Sequence, residues 1–205
     1  LPARKLVNVE NVGEVIQSPE ADERAQTVAD KAITLVRNEA NFFPVSNPDN
    51  ACVVVLVESR ASQHGRKFME EIRRRAPKMR INLLDPMLAK ADLDQVVQSA
   101  STCGSIAIAA YVTVGAYRGN VALPGDFPAL VNSLVAGNVP VGMISLGNPY
   151  LIRSFPNLKA YMATFSTTTT SEIAAVRAMF GEIAIGGRLP VTIPGIANYG
   201  DGIQL

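Results

Sequence analysis

One short segment, residues 58–64, brings together the side chains that a serine hydrolase would need. It holds a carboxylate at Glu58, a hydroxyl at Ser59 and the chain's single imidazole at His64. A serine nucleophile needs a histidine base, and that base needs an acid to orient it. However, no G-x-S-x-G turn surrounds Ser59 and no oxyanion-hole signature accompanies it. We therefore interpret the segment, with Arg60, as a loop at a strand end that carries helix-capping groups.

A second segment is punctuated by Gly115, Gly119 and Gly125. Their spacing is not the G-x-G-x-x-G of dinucleotide-binding loops, and no acidic residue follows where a ribose would be held. We therefore expect tight turns there, and no nucleotide cofactor. With one histidine in the chain, a His-based metal cage is not expected either.

The charge pattern argues against nucleic-acid and membrane partners. The formal net charge is +1, so the chain has no general attraction for polyanions. The basic run Arg73–Arg75 has no aromatic residues among it, and cations near a helix C-terminus favour the helix dipole. No apolar stretch reaches the roughly 18 residues of a membrane span.

Trp is absent, which argues against a free-standing carbohydrate-binding module that stacks sugars on indole rings.

The two cysteines, Cys52 and Cys103, each stand at the start of an apolar run that predicts a buried strand. We favour two buried free thiols, although a disulfide between neighbouring strands stays open. Two cysteines do not decide the redox compartment.

The chain is 48% hydrophobic, enough for a large core. Along it, segments with the apolar face of a helix alternate with the short apolar runs of buried strands. The first predicted helix places Val28, Ala29 and Ile33 on its inner face and leads into a short β-prone patch at 34–36. Thr169 and Glu172 are three residues apart, which is the spacing of a capping box at the start of the last helix. We predict helices over 21–33, 62–75, 92–100, 126–136 and 171–183, and strands over 51–57, 80–84, 105–112, 139–145, 158–165 and 188–193.

Short strands without polar alternation, separated by amphipathic helices, indicate a mostly parallel sheet covered on both faces. The expected fold is α/β: a three-layer α/β/α sandwich around a flavodoxin-like sheet of about five or six strands. Ligands and partners of such sheets bind at the carboxyl ends of the strands. That rule nominates the loops 58–62, 85–91, 113–125, 146–150 and 166–170.

Three motifs carry a resemblance to a known family. Residues 32–38 are AITLVRN, residues 142–150 are GMISLGNPY, and residues 181–182 (GE) are followed by GGRLPVT at 186–192. In order and spacing they resemble the C-terminal α/β domain of glycoside hydrolase family 3, across about residues 21–195. The Gly-Asn-Pro-Tyr turn is similar to that of the β-N-acetylglucosaminidase-like (β-hexosaminidase-like) branch.

The resemblance implies a partner in the same polypeptide, a catalytic (β/α)8 barrel that supplies the nucleophile of a retaining glycosidase. Retention needs a nucleophile and an acid/base. In β-glucosidase-like members the acid/base is a glutamate in the loop that corresponds to 113–124 here, yet that loop contains no Asp or Glu. This departure agrees with the β-N-acetylglucosaminidase-like branch, whose acid/base pair lies in the barrel.

We therefore expect no catalytic residue in this chain and an accessory role beside the barrel, with contact to carbohydrate left open. Asp126, the first carboxylate after the loop, is expected to cap a helix. The residues expected near the barrel or the sugar are in the loops after two central strands: Thr113, Tyr117, Arg118, Asn120, Asn148 and Tyr150.

Two other functions stay open: a self-standing flavodoxin-like module for a small ligand, and a β-glucosidase-type domain that uses Asp126 or Glu58 as its acid. Because the chain begins at Leu1 and not at Met, we expect a fragment or a processed form. Residues 1–20 are interpreted as a linker or arm from a preceding domain, and 21–205 as the α/β domain. The compartment is not determined, although the resemblance favours a periplasmic or secreted parent enzyme.

Overall fold

The computed structural model describes residues 9, 12–13, 18–113 and 121–205 of the chain. Within residues 18–113 and 121–205, five α-helices and six strands alternate. The helices are α1 Pro19–Ala32, α2 Arg66–Arg75, α3 Lys90–Ala100, α4 Phe127–Val135 and α5 Thr169–Met179. The strands are β1 Thr34–Asn38, β2 Ala51–Leu56, β3 Arg80–Leu84, β4 Ser105–Val112, β5 Val141–Gly147 and β6 Ala160–Ala163.

The six strands form one sheet in the order β1-β6-β5-β4-β2-β3. β2 to β6 are parallel, and β1 pairs with β6 in the antiparallel sense. Without β1, this is the strand order of a flavodoxin-like doubly wound sheet. The predicted fold class is therefore confirmed, and the β-prone patch at 34–36 lies in the antiparallel edge strand.

Each face of the sheet has its own hydrophobic core. On β2, Val53 and Val55 point into a core closed by α1, α2 and α5, whereas Val54 and Leu56 point into a core closed by α3 and α4. All six residues of β2 are buried, which explains the uninterrupted apolar run. The three-layer arrangement follows, because helices cover the central strands on both faces of the sheet.

Local sequence explains where α1 begins. The Ser18 hydroxyl accepts a hydrogen bond from the Ala21 amide, and Pro19 occupies the first turn, where its missing N–H is not needed. The helix thus starts two residues before the predicted boundary. Of its predicted inner face, Ala29 and Ile33 are buried, but Val28 is 68% exposed.

The predicted strand 139–145 is shifted by two residues to Val141–Gly147, and two other predicted strands differ more from the structure. The segment predicted over 158–165 pairs only at Ala160–Ala163. The segment predicted over 188–193 is not a strand; a single bridge joins Ile193 to Ala197. Leu189 and Ile193 are nevertheless buried against the core beside α3 and α4, so the apolar pattern there reflects packing and not β-structure.

The preference for free thiols was wrong. Cys52 and Cys103 form a disulfide, with 5.9 Å between their Cα atoms. Cys52 lies on β2, and Cys103 immediately precedes the neighbouring strand β4, so the sheet itself brings the two side chains into bonding range.

The predicted capping box of the last helix was also wrong. Thr168 occupies the N-cap position, and the Glu172 carboxylate leaves its own helix. Its two oxygens accept hydrogen bonds from the amides of Gly65 (2.7 Å) and Phe68 (2.8 Å) at the start of α2. Gly65 is the N-cap of α2 and has no side chain to offer. Glu172 therefore caps α2 from the neighbouring helix α5.

The basic run at the end of α2 is largely neutralised by carboxylates. Arg74 and Arg75 both pair with the buried Glu71, and Arg75 also makes a two-point contact with Glu182. Burial alone would raise the pKa of Glu71, but the hydrogen bond from Arg75 and the charge of Arg74 lower it below the ordinary value. The run joins α2 to the segment after α5 and offers little free positive charge to a polyanion.

Candidate functional site

The sheet changes its winding direction between β2 and β4. The connection after β2 leads to α2 on one face, and the connection after β4 leads to α4 on the other. A crevice forms where two such connections part, and doubly wound sheets bind their ligands there, beyond the carboxyl ends of the strands. The residues that follow β2 and β4 are therefore the first candidates for function.

Glu58 and Thr113 meet at this point. The Thr113 amide donates to Glu58 Oε1 at 3.0 Å, and the Thr113 hydroxyl donates to Glu58 Oε2. Both residues are partly buried. The carboxylate after β2 thus holds the first residue after β4, although 55 residues separate them in sequence.

The Gly-Asn-Pro-Tyr turn follows the next strand, β5. Asn148 is 8% exposed, and its side-chain oxygen accepts from the Tyr150 amide at 2.9 Å. Its side-chain nitrogen donates to the Val121 carbonyl at 2.6 Å. Asn148 therefore caps the short 3-10 helix Pro149–Ser154 and at the same time contacts the connection that leaves β4.

Two buried hydroxyls support this turn from below. The Ser145 hydroxyl donates to the Asn148 carbonyl, and the Tyr161 hydroxyl donates to the Pro149 carbonyl at 3.0 Å. Burial raises the pKa of Tyr161 above its ordinary value, so the phenol stays protonated and remains a donor. The turn is thus bound to both β5 and β6.

Gly147 makes the turn possible, and its replacement by alanine is expected to cost about 2 kcal/mol of unfolding free energy. Its φ is +105°, and an added Cβ would collide with the Val112 carbonyl oxygen of β4. Urea unfolding of Gly147→Ala checks the value. Gly195→Ala is the matched control, because Gly195 also has a positive φ (+76°) but has nothing within 4 Å of its added Cβ. Equal losses in the two variants would contradict the role given to the Val112 carbonyl.

The Ser–His–acid arrangement considered from the sequence is not assembled. The Glu58 carboxylate is engaged with Thr113, and the His64 ring stacks on Tyr111 with 5.3 Å between centroids. His64 Nδ1 is buried without a hydrogen-bond partner among the described residues. The imidazole therefore packs as a ring in the wall of the site, with its Nδ1 bound to neither a serine nor an acid.

The predicted site residues are only partly covered by the structure. Thr113 and Asn148 lie at the carboxyl edge in the contacts described above, and Tyr150 is exposed beside them. Asp126 stands at the N-cap position of α4, but its side chain makes no capping hydrogen bond, contrary to expectation. Tyr117, Arg118 and Asn120 lie outside the described residues.

Exposed apolar side chains cluster at the same edge. Met87 follows β3 and is 79% exposed, and Val121 and Tyr150 follow β4 and β5. Gly125 lies against the Pro86 backbone, so the connection after β4 crosses to the loop after β3. The carboxyl edge thus exposes apolar side chains to solvent, whereas the hydrogen bonds of Glu58 and Asn148 at the same edge are partly buried.

Neither a metal site nor a membrane span is found in the part of the chain that the structure describes. No three or more His, Cys, Asp or Glu side chains there are grouped so as to hold a metal ion. No described helix is long and apolar enough to cross a bilayer.

Several solved structures share this fold. A glycoside hydrolase family 3 β-N-acetylglucosaminidase from Paenibacillus sp. str. FPU-7 is 21% identical, with a TM-score of 0.70 over 93% of this chain and 36% of that one. A fungal multi-domain family 3 β-N-acetylglucosaminidase is 18% identical, with a TM-score of 0.72 over 94% of this chain and 21% of that one. A β-glucosidase from Listeria innocua, in complex with glucose, is 12% identical, with a TM-score of 0.71 over 91% and 28%.

The chain thus spans little more than a third of the first of these enzymes and less of the others. No curated protein sequence matches it. The family model of the glycosyl hydrolase family 3 C-terminal domain matches residues 33–201, a range that includes all six strands and begins directly after α1. The chain therefore belongs to the glycosyl hydrolase family 3 C-terminal domain family.

Proposed function

We propose that this chain is the non-catalytic accessory domain of a retaining β-N-acetylglucosaminidase-like glycoside hydrolase. It packs through the carboxyl edge of its sheet on a catalytic (β/α)8 barrel of the same polypeptide, and its loops 113–124 and 146–150 help to wall the sugar site. The observation that carries the proposal is chemical. The connection 113–124, which leaves the sheet at its switch point, has no carboxylate of its own.

A general acid must present a titratable group to the leaving oxygen, and its pKa must lie near the working pH. Thr113 has no such group, and the carboxylate that reaches it, Glu58, uses both oxygens to accept hydrogen bonds from it. In this contact both Glu58 oxygens act as hydrogen-bond acceptors. The edge is therefore better equipped to shape a site than to perform acid catalysis.

The apolar side chains at this edge support the docking role. Met87, Val121 and Tyr150 project from three successive loops on one side of the sheet. Apolar groups clustered in this way mark surfaces that bind other surfaces. The multi-domain architecture of the similar enzymes, in which the matching region is 21–36% of the chain, supports a partner within the same polypeptide.

The proposal is tested with aryl glycosides. We expect the 205-residue chain alone to leave aryl N-acetyl-β-glucosaminide and aryl β-glucoside unhydrolysed above the buffer rate, and the full polypeptide to prefer the N-acetyl substrate. A doubly substituted chain, Glu58→Gln with Asp126→Asn, is the control for contaminating activity. Turnover by the unsubstituted chain that the control lacks would contradict the accessory role.

One observation favours a second candidate, a β-glucosidase-type domain with Glu58 as acid/base. Glu58 lies at the switch point and contacts the loop that carries the acid in β-glucosidase-like members. In that case Glu58→Gln in the full polypeptide would lower kcat by about a thousandfold and remove the alkaline limb of its pH profile, because a general acid must be protonated to act. Under the accessory role, the pH profile is unchanged.

A further inference from the structure

The disulfide Cys52–Cys103 joins two sulfurs that lie in different surroundings. Cys52 is 1% exposed and lies within β2, where every residue is buried. Cys103 is 6% exposed, but it stands in the turn 101–104 between α3 and β4, and the other three residues of this turn are exposed. Cys103 is therefore the sulfur closer to solvent.

The side chain of Arg80 lies against the Cys103 sulfur. Arg80 is in register with Cys52 on the neighbouring strand, and its guanidinium donates a hydrogen bond to Cys103 Sγ at 2.8 Å. The same guanidinium donates to the Ser99 carbonyl of α3 at 3.2 Å. Because Arg80 is exposed and belongs to the edge strand β3, its side chain can move away from Cys103 without opening the sheet.

A cation in this position favours the thiolate form of Cys103 in the reduced chain. The thiolate, and not the thiol, is the nucleophile in exchange with disulfides, and an adjacent arginine stabilises it. The Cys52 sulfur instead points into the apolar core beside α3 and α4, where burial disfavours a charged sulfur.

No acid on the neighbouring elements opposes the charge of Arg80. The strands β2, β3 and β4 and the helix α4 contain no Asp or Glu, and α3 carries its two aspartates in its first half, away from Cys103. Asp49, which precedes β2, pairs with Lys78 at 3.5 Å.

We propose that Cys103 is the sulfur through which this disulfide is formed and exchanged, that its reaction partners are low-molecular-weight disulfides and thiols, and that Arg80 is the positioning residue that stabilises its thiolate. This chemistry does not depend on the accessory role.

The reaction starts from the reduced chain. The Cys103 thiolate attacks one sulfur of a small disulfide, a mixed disulfide forms on Cys103, and the sulfur–sulfur bond of the reagent breaks to release a small thiolate. Cys52 then gives up its proton and attacks Cys103 Sγ, which releases the second small thiolate. Two electrons pass from the protein to the reagent, and the two thiol protons of the protein end on the two small thiols.

The first measurement starts from the native protein with the disulfide intact. The monothiol 2-mercaptoethanol is added, the exchange is stopped with acid, and mass spectrometry of peptic peptides identifies the cysteine that carries the mixed disulfide. Circular dichroism before the acid step shows that the protein is folded. We expect about tenfold more adduct on Cys103 than on Cys52. Equal adducts, an excess on Cys52, or no adduct in the folded protein overturns the proposal.

The second measurement tests Arg80 in the reduced protein. Arg80→Met removes the charge and keeps a long side chain, and Arg80→Lys keeps the charge and is the conservative control. Alkylation of Cys103 and Cys52 by iodoacetamide is followed from about pH 5 to about pH 9, and circular dichroism checks the fold of each protein.

Loss of the cation makes the Cys103 thiolate less stable, so its alkylation should begin at higher pH. We expect the midpoint of the Cys103 pH profile to rise by about one unit in Arg80→Met, with about threefold slower alkylation below the midpoint. Arg80→Lys should stay close to the unsubstituted protein, and the rate at Cys52 should be the same in all three. An equal Cys103 midpoint in Arg80→Met and the unsubstituted protein overturns the role of Arg80. Unfolding on reduction also overturns it, since the contact would then exist only after the bond has formed.

Discussion

Glu172→Ala is expected to lower the free energy of unfolding by about 3 kcal/mol. The Glu172 side chain is 3% exposed and caps α2 by accepting from the amides of Gly65 and Phe68. Alanine leaves both amides unpaired in a buried place, where water does not replace the lost acceptor. The change removes the stabilisation that a helix N-cap gives, together with two hydrogen bonds to a charged group.

Urea unfolding followed by circular dichroism measures this loss. Glu172→Gln keeps the size of the side chain and one acceptor oxygen but removes the carboxylate. We expect it to lower the free energy of unfolding by about half as much as Glu172→Ala does. Glu70→Ala is the matched control, since Glu70 lies on α2 with an exposed side chain in a surface pair with Lys67. It should change the free energy of unfolding by less than about 1 kcal/mol. A similar loss in Glu172→Ala and Glu70→Ala would contradict the capping role.

Most of the fold was predictable because its signals are local. The apolar run of β2 reflects burial on both faces, and the stripe Leu130, Val131 and Leu134 reflects the single buried side of α4. Errors arose where burial occurs without regular structure. Leu189 and Ile193 are as apolar as strand residues, but they pack as irregular chain against the core, and sequence period alone does not separate the two cases.

The site was less predictable because its contacts are between distant residues. The rule for strand ends nominated the loops that hold it, and Thr113 and Asn148 lie in two of them. Their partners were not foreseen. Glu58 and Thr113 are 55 residues apart, and Glu172 and Gly65 are 107 apart, so no local spacing connects them. The position of Glu58 directly after a buried strand was the only signal, and it did not specify a partner.

The proposed accessory role and the architecture of the edge have the same physical basis. The central strands of the sheet are buried on both faces, so the loops at the strand ends hold most of the chemistry or contacts that the domain offers. Here Glu58 and Asn148 are used to hold backbone, and Met87 and Tyr150 are left outside. The edge is thus built to present a shaped surface.

Reduction of the disulfide Cys52–Cys103 is expected to lower the free energy of unfolding by about 4 kcal/mol. The bond links positions 51 residues apart, and such a cross-link restricts the unfolded chain far more than the folded one. The folded state changes little, because the pairing of β2 with β4 already brings Cys52 and Cys103 close together. A dithiol reductant should therefore shift the urea midpoint of the 205-residue chain, which has these two cysteines and no others.

The double variant Cys52→Ala with Cys103→Ala is the control for this prediction, because a reductant has no bond to break in it. We expect its midpoint to be insensitive to the reductant and to lie close to that of the reduced chain. The same bond bears on the compartment, since structural disulfides persist mainly where the surroundings are oxidising. We therefore also expect both cysteines to resist alkylation in protein taken from its native compartment until a reductant is added. Free thiols in the folded chain, or a midpoint that the reductant does not change, would show that the cross-link does not hold β2 to β4.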